Sequence, residues 1–356
     1  MLKWVMFVAA AILAMPAAAQ APVAPPCRTV GPADFIRIDP ASAAALGEIG
    51  LDRATIFERM RETSIPETMG CWAMPVGNFD SQLISVGMAQ WNYGTGSLQP
   101  ILTAWREGFG SRRKFRTALD TLAPTYGRLL LLKDCLAVPV RQRCRDGILA
   151  AHGADGRIAP ALAAELTAIF ESDAMVQVQA DAYVALLMEV RTELLRLWPA
   201  SAVTMRKVRW AIDTRVQQRT LPGDEDAYRL RVKLAAVRPE EWAPRLYAIL
   251  DWYRGLAQSV DQDGIAKDYA WNVAQWRCLI DTRAIDPEQY ELLHLTFLRS
   301  RTATGNSGRW QALTFSRRAK IVLGVGSVSG VRDGACVQAI PNQGSVSSPT
   351  TLPAGT

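Results

Sequence analysis

The chain has 356 residues, 49% of them hydrophobic and 21% charged, and a formal net charge of +6. This length suits one large domain or two small ones, and the lack of a dense Lys/Arg run interleaved with aromatic residues argues against a nucleic-acid-binding protein. The mild positive excess is compatible with an anionic polymer as the partner, because net charge influences association rather than fold.

The N-terminal segment 1–19 has the pattern of a secretory signal peptide. Lys3 precedes an apolar run that is too short to span a bilayer comfortably, and Ala17-Ala18-Ala19 offers small residues for cleavage. We therefore expect a periplasmic or secreted protein with no membrane segment after cleavage. The alternative is an uncleaved N-terminal anchor.

Two segments of biased composition flank the body of the chain. Residues 20–40 are expected to form a Pro- and Ala-rich leader, and residues 341–356, rich in Pro, Ser, Thr and Gly, are expected to be disordered. The sequence between them has no internal repeat and no clear linker. We therefore expect one catalytic domain over 41–340, arranged in two lobes.

The cysteines are even in number, which predicts disulfides in an exported chain. Cys135 and Cys144 are close enough in sequence to close a small loop around Pro139, and we expect this pair first. Cys27 is expected to tie the leader to the body. The alternative is a set of buried free thiols. The cysteines are Cys27, Cys71, Cys135, Cys144, Cys278 and Cys336.

Most of the body has apolar residues at helical spacing, so the predicted fold class is mainly α with one small β element. Ser97 is a candidate N-cap for the segment 97–108, whose apolar residues share one face. The alternation typical of a strand occurs only in 74–87. The predicted helices are 41–47, 52–62, 97–108, 112–133, 159–198, 201–218, 223–236, 239–259 and 287–300.

Two carboxylates lie on either side of the predicted hairpin. Glu62 ends the helix 52–62, where the helix dipole disfavours a carboxylate and favours the protonated form that a general acid needs. Asp80 follows in a polar, Gly-containing stretch. Glycoside hydrolysis requires such a pair, one acid for the leaving oxygen and one carboxylate for the water. Glu67, beyond Pro66, is the rival acid, and Asp80 has the alternative role of a turn residue.

Several segments resemble a known family. Residues 80–87, DSQLISVG, resemble the D-G-x-G-[ILY]-[ST]-x-G hairpin of the chitosanase branch of the lysozyme superfamily. Residues 87–100, GMAQWNYGTGSLQP, resemble the G-x-L-Q-W-N-x-G-x-G-[ST]-L-Q-P block of related bacterial peptidoglycan-active proteins. Residues 212–217 resemble the F-D-x-x-V-Q-N helix of that group, and 317–330 resemble its closing R-x-x-x-I-x-x-G-x-G-x-V-x-G segment.

The resemblance implies an α+β lysozyme-like fold, a helical bundle in two lobes with the hairpin at the active-site cleft. It implies inverting hydrolysis of a β-1,4 bond between aminosugars, with Glu62 as acid, Asp80 as base and Ser85 helping to hold the water. The sequence departs from the family at Ser81 and Leu83, which replace two glycines.

Other polar and aromatic residues of these motifs are candidates for binding the sugar chain. Aromatic rings stack on sugar rings, and amides bond their hydroxyl and acetamido groups. The alternatives are that Trp91 belongs to the core, that Asn92 caps the next helix, and that Asp213 and Gln217 brace the cleft. The substrate-binding candidates are Gln82, Gln90, Trp91, Asn92, Asp213 and Gln217.

These observations leave three functions open. The first is a peptidoglycan hydrolase, since a basic chain suits peptidoglycan better than cationic chitosan. The second is a lytic transglycosylase, which needs the acid but no base. The third is a degenerate lysozyme-fold protein that binds peptidoglycan or serves as a scaffold. No cofactor or metal is expected, because His152 and His294 lack any metal-ligand spacing. The oligomeric state is left open.

Overall fold

The computed structural model describes residues 27–78, 81–131, 134–153, 155–258, 263–303, 308–328 and 330–336, with only the backbone described at 263–265. The predicted signal peptide, the predicted disordered tail and Asp80 lie outside the described residues. Within the leader, the part from Cys27 onward packs on the body, and the side chains of Val30 and Ile36 are buried.

The described residues are mostly helical, which confirms the predicted class. None of the described helices combines the length and hydrophobicity that crossing a bilayer requires. The α-helices are α1 (Pro40–Gly47), α2 (Arg53–Thr68), α3 (Leu98–Gly108), α4 (Arg112–Leu122), α5 (Gly127–Leu131), α6 (Gln142–Leu149), α7 (Pro160–Phe170), α8 (Asp173–Leu197), α9 (Met205–Gln218), α10 (Asp224–Ala235), α11 (Trp242–Ala257), α12 (Asp263–Asp281), α13 (Pro287–Ser300) and α14 (Arg309–Leu323).

In the described part of the chain, two short antiparallel hairpins accompany the helices, whereas the sequence predicts one. In the first, β1 (Ser85–Val86) pairs with β2 (Trp91–Asn92). Among the described residues of the predicted strand 74–87, which exclude 79 and 80, β1 and an isolated bridge at Val76 are paired as strand. In the second, β3 (Gly326–Val328) pairs with β4 (Val331–Asp333). Because β3 and β4 have three residues each, they are too short to give an alternating pattern.

Helix α2 extends beyond its predicted end at Glu62. It continues to Thr68 with Pro66 in its last turn. It ends where Met69 adopts a left-handed conformation, with φ of 56°, and the amide of Gly70 donates to the carbonyl of Ser64. Pro66 has no amide hydrogen to donate to the Glu62 carbonyl, and because α2 ends two residues later, this loss affects only its last turn. Glu62 therefore lies in the middle of the helix.

Two long predicted helices are each divided in two. The segment 112–133 breaks between α4 and α5 at Ala123-Pro124, and 159–198 breaks between α7 and α8, where Ser172 caps α8 by accepting from the Met175 amide. The helices predicted at 41–47, 97–108, 223–236 and 287–300 agree with the structure to within a residue. Helices α6, α12 and α14 were not predicted.

The buried apolar residues form two clusters. One contains residues of α1, α2 and α8–α14, and the other contains residues of the first hairpin and of α3–α7. Helix α8 contributes to both, since Met175 belongs to the second cluster and Val176 to the first. The half-buried ring of Trp91 packs against both clusters. The first hairpin therefore lies where the two clusters meet.

Three disulfides confirm the prediction that the cysteines are paired. Cys135 and Cys144 form the expected small loop, and Cys27 pairs with Cys71, which ties the leader to the body. The third bridge joins Cys278 on α12 to Cys336. Such bridges fit an oxidising compartment outside the cytosol.

Removing the Cys135–Cys144 bridge should destabilise the protein measurably. The bridge spans 9 residues of sequence, and loop-closure entropy for a loop of this size predicts a loss of about 2.5 kcal/mol. Urea denaturation of the Cys135→Ser/Cys144→Ser double variant measures this loss. An unchanged unfolding midpoint would mean that the bridge does not restrict the unfolded chain.

Candidate functional site

Glu67 lies in the last turn of α2, with its side chain 15% exposed. Its Oε1 accepts a hydrogen bond from Nε2 of Gln217 at 2.9 Å and lies 3.1 Å from Nη2 of Arg317. Gln217 comes from α9 and Arg317 from α14. Three segments that are far apart in sequence therefore meet at this carboxyl group.

Asp213 extends this contact into a buried ion cluster. Its Oδ1 accepts from Nε of Arg317 at 2.9 Å, and its Oδ2 lies 3.4 Å from Nε of Arg318. Arg318 is fully buried, and its Nη1 donates to Oε1 of Gln218. Among the described residues, Nε and Nη2 of Arg318 have no hydrogen-bond partner. We name Glu67, Asp213, Arg317 and Arg318 the buried ion cluster.

Burial raises the pKa of Glu67 above its usual value near 4.5. The Arg317 guanidinium opposes this shift and the nearby Asp213 carboxylate adds to it. The position at the C-terminus of α2 also favours the protonated form, because the helix dipole is negative there. Burial lowers the pKa of Arg318 to about 10. Glu67 is therefore the carboxyl group of this site that is disposed to hold a proton.

This shift predicts a pH-dependent stability. The stabilisation from protonated Glu67 is complete below the unfolded-state pKa near 4.5 and is lost as pH rises through the higher folded-state pKa. We expect the free energy of unfolding of the wild type to fall relative to that of Glu67→Gln as the pH rises above 4.5, because Gln does not titrate. Urea denaturation of both proteins across this range measures the difference. A difference that is constant, or that grows in favour of the wild type, contradicts the raised pKa.

Glu62 has a different environment from the one expected at a helix end. Its Oε2 accepts from Nη1 of Arg59 at 2.5 Å and from Nε of Arg209 at 3.1 Å, and the side chain is 35% exposed. Because α2 continues past this residue, the dipole argument applies to Glu67 and not to Glu62. Two guanidinium groups therefore contact the same oxygen of Glu62.

The loop before β1 has left-handed backbone at Ser81 and Leu83, the two positions where the resembled motif has glycine. Ser81 has φ of 64° and Leu83 has φ of 71°, a left-handed region that glycine occupies at little cost. The Leu83 amide donates to Oδ1 of Asn78, and the Leu83 carbonyl lies 3.0 Å from Nε2 of His152. These contacts and the full burial of the Leu83 side chain hold the loop in the strained conformation.

Ser81→Gly should stabilise the protein by about 0.5–1 kcal/mol, because the left-handed penalty exceeds the extra unfolded-state entropy of glycine. Ser81 is exposed, so the substitution removes little packing. Ser201→Gly, at an exposed 3₁₀-helical position, is the matched control and should be neutral or destabilising. Thermal denaturation of both variants tests this, and equal effects would show that no strain is stored at Ser81.

Two further candidate residues lie in or beside this loop. Ser85 is buried and exchanges backbone hydrogen bonds with Val76. The carbonyl of Gln82 accepts from the Gly94 amide, and a Cβ at Gly94 would come within 2.7 Å of the Gln82 backbone. The loop therefore packs directly on the glycine turn that follows β2, which explains the glycine there.

The Gln90-Trp91-Asn92 motif stabilises the hairpin itself. Nε2 of Gln90 donates to the Met74 carbonyl at 3.1 Å. The Trp91 ring lies against Gly87, where a Cβ would come within 2.7 Å of it. Oδ1 of Asn92 accepts from the amide and hydroxyl of Thr95, so Asn92 closes a turn.

The expected helix cap at Ser97 has another role. Its hydroxyl makes no capping bond to α3 and instead accepts from the Asn92 amide at 2.9 Å. The helix thus begins without a side-chain cap, and the hydroxyl joins α3 to β2. The alternative considered for Asn92, a cap of the next helix, is replaced by the turn that it closes with Thr95.

The structure brings together Asp213, Gln217 and Glu67, and it leaves Glu62 outside this group. The sequence does not indicate the roles of Arg317 and Arg318, although both belong to the segment that resembles a family motif.

Within the described ranges, no group of three or more His, Cys, Asp or Glu side chains could hold a metal ion. Comparison of the chain with known protein families, curated proteins and solved structures gave no match.

Proposed function

We propose that the protein is an exported glycosidase that cleaves β-1,4 bonds between aminosugars of peptidoglycan, with Glu67 as the general acid. The observation that carries this proposal is the position of a largely buried carboxyl group at the meeting point of α2, α9 and α14, where burial raises its pKa. A general acid near neutral pH needs such a shift, because an ordinary carboxyl group is ionised there. Glu67 replaces Glu62 in this role.

The buried ion cluster gives the acid a fixed orientation. Gln217 and Arg317 both contact Oε1 of Glu67, so this oxygen is held by two donors. We assign the reacting proton to Oε2. Arg317 is itself held by Oδ1 of Asp213, which makes Asp213 and Gln217 positioning residues rather than sugar contacts.

The reaction follows from these roles. The Glu67 carboxyl gives its proton to the glycosidic oxygen as the bond between that oxygen and the anomeric carbon breaks. A water molecule attacks the anomeric carbon from the opposite face, and Asp80 accepts the proton of this water in the proposed scheme. Ser85, on β1, is proposed to help hold the water. The products are two sugar chains, one with a new reducing end.

The sugar chain is proposed to run past the first hairpin. Trp91 packs against both apolar clusters, so a cleft between two lobes would have this half-buried ring in its wall. Gln82 and Gln90 are the amides proposed to bind hydroxyl or acetamido groups there. The two clusters support a division into two lobes as in the lysozyme-like arrangement.

Digestion of purified peptidoglycan with mass spectrometry of the fragments tests the proposal. We expect soluble fragments with reducing ends. Fragments with anhydro ends would instead identify the protein as a lytic transglycosylase, which needs the acid but no base. If the protein binds peptidoglycan but releases no fragments, it is a peptidoglycan-binding or scaffold protein and not a hydrolase.

A further inference from the structure

The positive charge of the protein is concentrated in the helices α3–α6. The segment 98–149 contains ten Lys or Arg residues and four Asp or Glu residues, and its excess equals the net charge of +6 of the whole chain. The remaining residues are therefore balanced in charge. A concentrated excess of one sign creates a local potential that attracts ligands of the opposite sign.

A surface pocket of about 900 Å³ lies within this segment, between the end of α3 and the helices α4 and α5. Four arginines line it: Arg106 from α3, Arg112 and Arg116 from α4, and Arg128 from α5. Two carboxylates, Glu107 and Asp120, also line it, so the lining has an excess of two positive charges. We name this feature the arginine pocket.

Three of these arginines lack an acidic partner. Arg106 lies 3.7 Å from Glu107, whereas Arg112, Arg116 and Arg128 are exposed and have no carboxylate within 4 Å among the described residues. Elsewhere, some exposed arginines, such as Arg229, are ion-paired, and others, such as Arg61 and Arg219, have no carboxylate within 4 Å among the described residues, so what distinguishes the pocket is that three unpaired arginines line one cavity. The guanidinium groups of the arginine pocket are therefore available to a ligand.

The base of the pocket is apolar. Phe115 contacts the rings of Trp105 and Phe109, with centroid distances of 5.7 and 5.8 Å, and Leu119 is buried beside it. The exposed positions of α4 carry Arg, Lys, Thr and Asp and no large apolar side chain. A membrane-binding helix would expose such side chains for insertion, so a lipid surface is disfavoured.

We propose that the arginine pocket binds a segment of an anionic polysaccharide, whose carboxylates contact the guanidinium groups and whose rings lie over Phe115. Arg112 and Arg116 are four residues apart on α4, a rise of about 6 Å along the helix. This spacing suits charges that recur along a polymer better than a single small anion. The site is separate from Glu67, so the proposal concerns binding and does not depend on hydrolysis.

The test measures binding of the full chain to short polygalacturonate, a polysaccharide with a carboxylate on every sugar. The Arg112→Gln/Arg116→Gln variant should bind about tenfold more weakly, since each lost charge contact contributes up to about 1 kcal/mol. Arg254→Gln/Arg277→Gln removes the same charge from exposed arginines outside the pocket and should bind as the wild type does. Arg128→Gln, on another helix, should weaken binding as well.

Dextran and phosphatidylglycerol vesicles distinguish the competing ligands. Binding to polygalacturonate that is lost only in the pocket variants, with none to neutral dextran, supports the proposal. Equal weakening in the control variant would mean that net charge alone attracts the polymer, and would overturn it. Tighter binding to the vesicles than to polygalacturonate would indicate that the pocket binds a membrane surface. No binding to any of the probes would show that the arginine pocket is not a binding site.

Discussion

Glu67→Gln should reduce peptidoglycan hydrolysis by at least about 100-fold, the usual contribution of a general acid. Gln has nearly the shape of the protonated carboxyl group and keeps an oxygen that can accept from Gln217 and Arg317. It has no proton to give to the leaving oxygen. The fold should therefore survive while the turnover is lost.

Glu62→Gln is the matched control on the same helix. It removes the carboxylate that Arg59 and Arg209 share at the protein surface, and we expect hydrolysis near the wild-type rate. Initial rates of fragment release, measured for both variants after their thermal denaturation has been compared, separate the two acids. If Glu62→Gln loses turnover and Glu67→Gln keeps it, Glu62 is the general acid.

The sequence predicts local features of this protein well because their causes are local. The Cys135–Cys144 loop depends on short spacing, and α13 begins with Asp286 and Gln289 in a capping box. Prediction from the sequence fails where the same local residue pattern is compatible with two structures. Pro66 suggests a helix end, but α2 accommodates it in the last turn, and this moves the candidate acid from Glu62 to Glu67.

The site could be predicted only in part, because it depends on tertiary contacts. The segments 212–217 and 317–330 were recognised as resembling family motifs, but no pattern in either indicates that both meet Glu67. Arg318 is fully buried on α14, a helix that the sequence did not predict. A charged residue has no local signature of burial, since its partners come from other helices.

The loop at Ser81 and Leu83 shows a different limit. When only the residue types are considered, the replacement of two glycines favours the degenerate, non-catalytic alternative. Both positions have left-handed backbone in the structure, the conformation that glycine adopts most readily, and the contacts of Asn78 and His152 and the burial of Leu83 stabilise it. The sequence reveals which residues changed, and the packing decides whether the geometry changes with them.

Asp213→Asn should destabilise the protein by about 3–5 kcal/mol, the cost of removing one partner from a buried ion pair. The Asp213 carboxylate is 8% exposed and lies between Arg317 and Arg318, both of them buried. Without it, Arg317 keeps Glu67 as a partner, but Arg318 keeps no carboxylate within 4 Å among the described residues. Urea denaturation measures the loss.

The control for this prediction is Asp251→Asn, which breaks an exposed ion pair with Arg254 and should cost at most about 1 kcal/mol. Arg318→Met in the Asp213→Asn background should recover part of the stability, because it removes the uncompensated charge and fills the same space with an apolar chain. If the double variant is as unstable as the sum of the single variants, the two residues are not coupled. The cost of Asp213→Asn would then come from lost packing, and Arg318 would hold its charge through the contact with Gln218.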